Sequence, residues 1–274
     1  DGSLEPLESE HVDTGMGLER VVAILQGKKS NYETDLFIPI LNAIVSKADG
    51  VKANSYEEVI GSAEEDSENI AVALRVIADH LRTISFAIAD GVIPGNAGRG
   101  YVIRRILRRA VRYGYQTLGF RSPILYELVD IVIETMGEQF PELEKGKSYI
   151  QRGVKAEEVS FLETLGTGIE YFSALSPIIT GLSSKTVSDK LKNEITADRA
   201  VLDLLKKAYV DGETREQMIE KLVKTGSSGR LPGEVAFLLH DTFGFPVDLT
   251  QLMAREAGLG LEWPRYAGLL DQRR

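Results

Sequence analysis

Ile70-Ala-Val-Ala-Leu-Arg-Val-Ile-Ala-Asp-His-Leu-Arg-Thr-Ile-Ser-Phe-Ala-Ile88 places apolar residues at Ile70, Leu74, Ile77, Leu81, Ile84 and Ile88. The steps alternate between four and three, so all six fall on one side of an α-helix. Gly91 ends the pattern, and Pro94, Gly95, Gly98 and Gly100 mark a loop. Working outward, the same period recurs. Leu18, Val21, Val22 and Leu25 form a first helical face stopped by Gly27. Ser30 with Glu33 has the form of a capping box, ahead of Phe37, Ile38, Leu41, Ile44 and Val45, with Pro39 restarting or kinking that helix. Further helices are expected from about Gly100 to Tyr115, Ile124 to Met136, Lys145 to Leu175, Ala200 to Ala208 and Arg215 to Val223. Glu234 to His240 and Val247 to Ala257 complete the set, flanking a Gly-Phe-Pro turn. A strand is expected only near His11 to Thr14. The fold class is therefore mainly α. Residues 176–230 are more polar and read as a peripheral lobe or insertion.

Composition narrows the function classes. The 274 residues are 43% apolar and 27% charged, enough for a large core, so wholesale disorder is excluded. No apolar run approaches the roughly 20 residues of a membrane helix, and the acidic start lacks a signal-peptide core. The expectation is a cytoplasmic protein with no membrane partner. There is no cysteine and there are only three scattered histidines, so no metal site is expected. The net charge of −9 opposes nonspecific nucleic-acid binding at long range. A local basic patch can still bind.

Such a patch stands at Arg99-Gly-Tyr-Val-Ile-Arg-Arg-Ile-Leu-Arg-Arg-Ala-Val-Arg112, with six arginines in fourteen residues and no acid. At about 100° per residue, Arg104, Arg105, Arg108, Arg109 and Arg112 share one face. Val102, Ile103, Ile106, Leu107, Ala110 and Val111 share the other. Most charged helices are simply solvated, but those mix Glu with Lys. Arginine suits bidentate contacts to phosphate. Carboxylates elsewhere in this acidic chain could instead neutralise the face. On the residues alone, phosphate binding stands slightly ahead of internal ion pairs. Near the start, Asp13-Thr-Gly-Met-Gly-Leu-Glu-Arg20 leads into a helix. Gly15 and Gly17 permit close backbone approach, and Arg20 stands where it could reach a polyphosphate. As a bare pattern, a Gly-x-Gly turn is more often only a turn, and Asp13 a cap.

Longer blocks are more specific. His11-Val-Asp-Thr-Gly-Met-Gly-Leu-Glu-Arg20 resembles motif three of the class II aminoacyl-tRNA synthetases, in the form found in the alanyl-tRNA synthetase family. Ser30-Asn-Tyr-Glu-Thr-Asp-Leu-Phe37, Arg75-Val-Ile-Ala-Asp-His-Leu-Arg82 and Ile88-Ala-Asp-Gly-Val-Ile-Pro-Gly-Asn96 are similar to the blocks that follow it there. So are the arginine segment and His240-Asp-Thr-Phe-Gly-Phe-Pro-Val-Asp-Leu-Thr250. The likeness covers Glu10 to about Gly119 and Gly233 to Ala257, and fades between them.

The resemblance implies that residues 1–50 end a catalytic α/β domain, contributing a short strand and helix. Residues 51–274 would form a helical, bundle-like tRNA-recognition domain. Motifs one and two and the editing domain have no counterpart here, so the chain is expected to be a fragment, inactive alone in aminoacylation. The parent enzyme would use ATP with Mg²⁺ to activate alanine as an adenylate and pass it to the 3′ end of its tRNA. Arg20, with Gly15 and Gly17, would bind the ATP phosphates, and Asp13 the alanine ammonium. No cofactor is expected to be tightly bound in the fragment.

The family reads a G·U wobble pair in the tRNA-Ala acceptor stem. Asn96 and Asp241 match its two reading positions. Gly95 departs from the usual Pro-Ser-Asn. The minor groove of A-form RNA is wide, and guanine's 2-amino group there requires an acceptor. Arg99, Arg104, Arg105, Arg108, Arg109 and Arg112 would grip phosphates alongside. Locally, Asn96 also reads as a turn residue and Asp241 as a helix-end cap. His80 reads as structural. The alternative is a stand-alone helical RNA-binding or structural interaction module with a relic motif three.

Overall fold

The 70–88 seam is the core of the molecule. In the computed structural model, which describes residues 15–63, 67–183, 203, 208 and 214–273, it lies on α4 (Ser67–Ala89). Leu74, Ile77, Leu81, Ile84 and Ile88 are fully buried. Burying such side chains is worth roughly 1.5–3 kcal/mol each, which makes α4 the element that the others are built around. Helices α2 (Ile38–Lys47), α3 (Tyr56–Gly61), α5 (Gly98–Thr117), α6 (Val129–Met136) and α7 (Pro141–Ser183) all pack on it. Pro39 sits in the first turn of α2, where its missing N–H costs nothing. Ile40, Leu41, Ile44 and Val45 of α2 join the same contiguous core as α4 and α6.

The longest element is α7, whose 43 residues span roughly 65 Å. Its first half packs on α4, α5 and α6. Its second half carries α8 (Arg215–Ser227) and the strand β1 (Arg230–Leu231). The remaining elements are α9 (Gly233–Asp241), α10 (Val247–Glu256), the strand β2 (Gly260–Leu261) and α11 (Trp263–Arg273). β1 and β2 pair in parallel, Arg230 with Gly260 and Leu231 with Leu261. The fold is mainly α, as expected, with this one short strand pair among the described residues. No described helix is long and apolar enough to cross a membrane.

Several local expectations change. The strand near His11–Thr14 lies outside the described residues, as does most of Ala200–Ala208. α7 runs to Ser183 straight through Pro177, beyond the expected end at Leu175. α6 starts at Val129, not Ile124, and the backbone N–H groups of Ile124, Leu125 and Tyr126 ahead of it are accepted by the Glu158 carboxylate. Ser30 caps a single 3₁₀ turn, Asn31–Glu33, accepting from Tyr32 N rather than forming a box with Glu33. In α1 (Leu18–Leu25) the expected apolar face is only partly covered. Ala23 is buried, while Leu18 and Leu25 are 50% and 80% exposed. What fastens α1 is polar: Glu19 pairs with Arg82 of α4 at 2.9 Å, and the Arg82 guanidinium stacks 4.5 Å from the Phe37 ring centre.

Candidate functional site

The arginine segment forms α5 with the predicted two faces. Ile103, Leu107, Ala110 and Val111 are buried, and the guanidiniums lie toward α7 and α10. There they meet carboxylates. Glu157 of α7, nearly buried, takes Arg104 at 3.0 Å and Arg108 at 2.5–2.6 Å. Asp248 of α10 takes Arg109 at 2.7 Å. Arg105 Nε also approaches Asp248, at 3.3 Å, but too poorly aligned for a hydrogen bond, and both atoms are left without one. Arg112, itself buried, is held by Glu256 and by Gln116. Arg99, in the first turn, is exposed and has no partner among the described residues. Internal ion pairs, placed second on the sequence alone, are thus present. They are incomplete. Five guanidiniums meet three carboxylates and Arg99 meets none, so positive charge is in excess along this helix.

Burial sorts the six. The side chains of Arg112 and Arg108 are 7% and 13% exposed, against 35% for Arg109 and 39% for Arg105. Desolvation holds Arg108 below the ordinary guanidinium value, opposed by the Glu157 charge. Arg108 also stacks 4.9 Å from the Phe161 ring centre. It is a packed internal cation, whereas Arg99, Arg105 and Arg109 can face a partner.

The two expected base readers lie at the ends of this network. Arg104 donates to the side-chain oxygen of Asn96 as well as to Glu157. Arg108 donates to the backbone carbonyl of Gly244, three residues beyond Asp241. One polar chain therefore runs from Asn96 through Arg104, Glu157 and Arg108 to the turn after α9. Asn96 and Gly244, 148 residues apart in sequence, are thus linked through two arginines that share one carboxylate. The Asn96 loop is closed onto α5 by Gly95 N donating to Gly100 O at 3.0 Å. The turn after α9 needs Gly244, whose φ is +69°.

Asp241 ends α9 and pairs with Arg273 of α11. Beside it, His240 shares a 2.9 Å hydrogen bond with the Tyr266 hydroxyl. Burial lowers the His240 pKa, with Arg108 and Arg273 adding to the effect. Burial also raises Tyr266, to about 12. At neutral pH this pair is uncharged, so the fixed charges around Asp241 come from arginines. Arg273, Glu157 and Glu256 carry no local motif, and Asp248, although inside the His240–Thr250 block, carries no sign of its arginine partners. Only the charge imbalance of the arginine segment could have signalled that partners existed.

At the other end, Gly15, Gly17 and Arg20 are all exposed. Gly17 is the N-cap of α1, with no side chain closing the helix start, and a Cβ there would meet only the flexible Arg20 side chain. These residues suit one open edge of a phosphate site. Asp13 lies outside the described residues. His80 stands mid-helix beside the α4 seam, with Asp79 at 3.6 Å.

Comparison with known proteins adds an independent line. The family described as "tRNA synthetases class II (A)" matches residues 1–195 and 207–274. The chain is 51% identical over 274 residues to an alanine–tRNA ligase of Salinibacter ruber, which covers 99% of the chain and 28% of that protein. It is 44% identical to an alanine–tRNA ligase of Chlorobaculum tepidum, covering 96% of the chain and 23% of the relative. It is 40% identical to one of Bacteroides fragilis, covering the whole chain and 25% of the relative. The chain spans about a quarter of the length of these curated relatives.

Proposed function

As the chain belongs to the class II (A) tRNA synthetase family, we propose that it supplies the acceptor-stem grip of an alanine–tRNA ligase. Residues 1–50 would be the tail of the catalytic region and 51–274 the recognition region, in an enzyme working where translation does, in the cytoplasm. The observation that carries this reading is the Arg104–Glu157–Arg108 bridge. It ties the Asn96 loop to the turn beyond Asp241 and leaves surplus positive charge next to both. Phosphate contacts fix register on a nucleic acid, and base-edge contacts give identity. Here Arg99, Arg105 and Arg109 are accessible for the first task. Arg104, Arg108 and Arg112 hold the frame, and Asn96 and Asp241 offer oxygen acceptors for the second. A guanine 2-amino group in the minor groove is a donor that such acceptors recognise.

In the parent enzyme ATP, with Mg²⁺, activates the alanine carboxyl group. Arg20 and the Gly15–Gly17 backbone would contact its phosphates, where a fixed guanidinium offsets negative charge. Asp13 would hold the alanine ammonium.

The test is discrimination between two acceptor-stem hairpins, one with a G·U pair and one with G·C. Asp241→Ala or Asn96→Ala is expected to reduce the preference for G·U by about 1–3 kcal/mol, the usual worth of one base-edge contact. Arg99→Ala or Arg105→Ala is expected to weaken both stems alike and to lower the salt slope by about 1. Equal losses on both stems for Asp241→Ala would overturn its assignment as a reader. One observation favours a purely structural helical module: the carboxylates that face α5. Three carboxylates for six arginines leave that reading with unexplained charge.

A further inference from the structure

On the opposite end of α9 and α11 from Asp241 lies a second basic site that the acceptor-stem reading does not use. A cleft of about 480 Å³ opens between α8, β1, α9 and α11, lined by Lys221, Lys224, Thr225, Arg230, Glu234 and Arg265, among others. In a chain of net charge −9 it gathers four cations. Its two carboxylates are committed to the fold. Glu234 is buried and takes Arg265 at 2.6 Å, and Glu262 accepts the backbone N–H of Gly233 at 3.1 Å. Lys224 and Arg230 are exposed and have no carboxylate partner among the described residues. The cleft walls are closely packed. At Gly233 the start of α9 approaches α11 so closely that a Cβ would lie 2.5 Å from Tyr266 N.

We propose that this cleft is a second seat for RNA backbone phosphates, rigidly coupled to Asp241. The proposal rests on the acceptor-stem reading and extends its footprint. The coupling is geometric. α9 carries Glu234 in the cleft and Asp241 at its far end, while α11 carries Arg265 in the cleft and Arg273 on Asp241. Each pair is seven or eight residues apart, or about 10–12 Å at 1.5 Å per residue. The two helices run in the same direction and hold the seat and the reader at one fixed spacing. Lys224 and Arg230 supply the unspent charge, and the Thr225 hydroxyl can donate to a phosphodiester oxygen. Trp263, 44% exposed and packed edge-on to Tyr266 at 5.7 Å, follows directly on the cleft residue Glu262.

Trp263 is the only tryptophan in the chain, so the emission comes from one residue, next in sequence to the cleft's Glu262. The experiment is a titration of the whole chain with an acceptor-stem hairpin at several salt concentrations, read by Trp263 emission and by gel mobility together. The proposal predicts a saturating change in emission whose midpoint matches the mobility shift. Lys224→Gln combined with Arg230→Gln, two exposed positions whose side chains hold nothing in the fold, should weaken binding at low salt by about tenfold or more. It should also reduce the salt slope by about 2. Asp241→Ala should keep the emission change and that slope while losing the preference for G·U. A hairpin that binds with silent Trp263, and with an unchanged slope in the double variant, would overturn the seat and leave the acceptor-stem reading intact. Emission that responds to inorganic phosphate but not to bound hairpin would overturn it as well, in favour of a small-anion site. Failure of the unaltered chain to bind any hairpin would remove both.

Discussion

At Gly244 a single hydrogen atom in place of a side chain lets two requirements be met together. Its φ is +69°, and an added Cβ would lie 2.6 Å from Arg108 Nη1. Gly244→Ala should therefore cost roughly 2 kcal/mol, from backbone strain and the displaced guanidinium. For a chain of this size that lowers Tm by several degrees, measurable by calorimetry; a Tm within one degree of the parent would contradict the geometry. At this scale the sequence was partly legible. Asn96, Asp241 and the arginines stand in blocks long enough to be matched, and their chemistry follows from residue type. Arg273 and Glu157 were not legible, because an isolated acid or base acquires a role only when another element is folded against it.

At the scale of elements, α5 and α7 are joined through one carboxylate. Glu157→Gln would leave Arg104 and Arg108, 21% and 13% exposed, with no negative partner. Removing one member of a buried pair typically costs about 3–5 kcal/mol. A loss near 3 kcal/mol in urea unfolding is expected, with partial recovery when Arg108→Met is added; a loss below 0.5 kcal/mol would show that the pairing carries no stability. The adjacent Glu158 behaves oppositely. Burial raises its pKa to about 6 from 4.5, although three backbone N–H groups work against the rise. A carboxyl raised on folding penalises the native state above its folded pKa, and the penalty fades as pH falls toward the unfolded value. Measured against Glu158→Gln, the parent should thus gain up to about 2 kcal/mol between pH 7 and pH 4.5. A pH-independent difference would rule this out. Helices α4 and α5 were legible because their apolar period is long and uninterrupted. The late start of α6 was not, and neither was the Glu158 carboxylate, more than thirty positions away, that accepts the N–H groups of residues 124–126.

At the scale of the whole molecule, a chain of net charge −9 has two local clusters of positive charge, along α5 and in the cleft between α8 and α11. Acidic surface elsewhere repels nucleic acid at long range, so only a partner that reaches these sites gains. Composition alone pointed away from RNA, because net charge averages over a surface whose local arrangement decides binding. α1 adds a second lesson of the same kind. Its apolar residues are periodic, but periodicity does not say which element will cover them, and Leu18, Ile24 and Leu25 remain exposed. The most direct measurement is a binding titration of the unaltered chain against the G·U and G·C acceptor-stem hairpins at two salt concentrations. Acceptor-stem recognition predicts tighter binding to the G·U stem, with both affinities falling steeply as salt rises. Equal affinity for the two stems, or binding insensitive to salt, would contradict it.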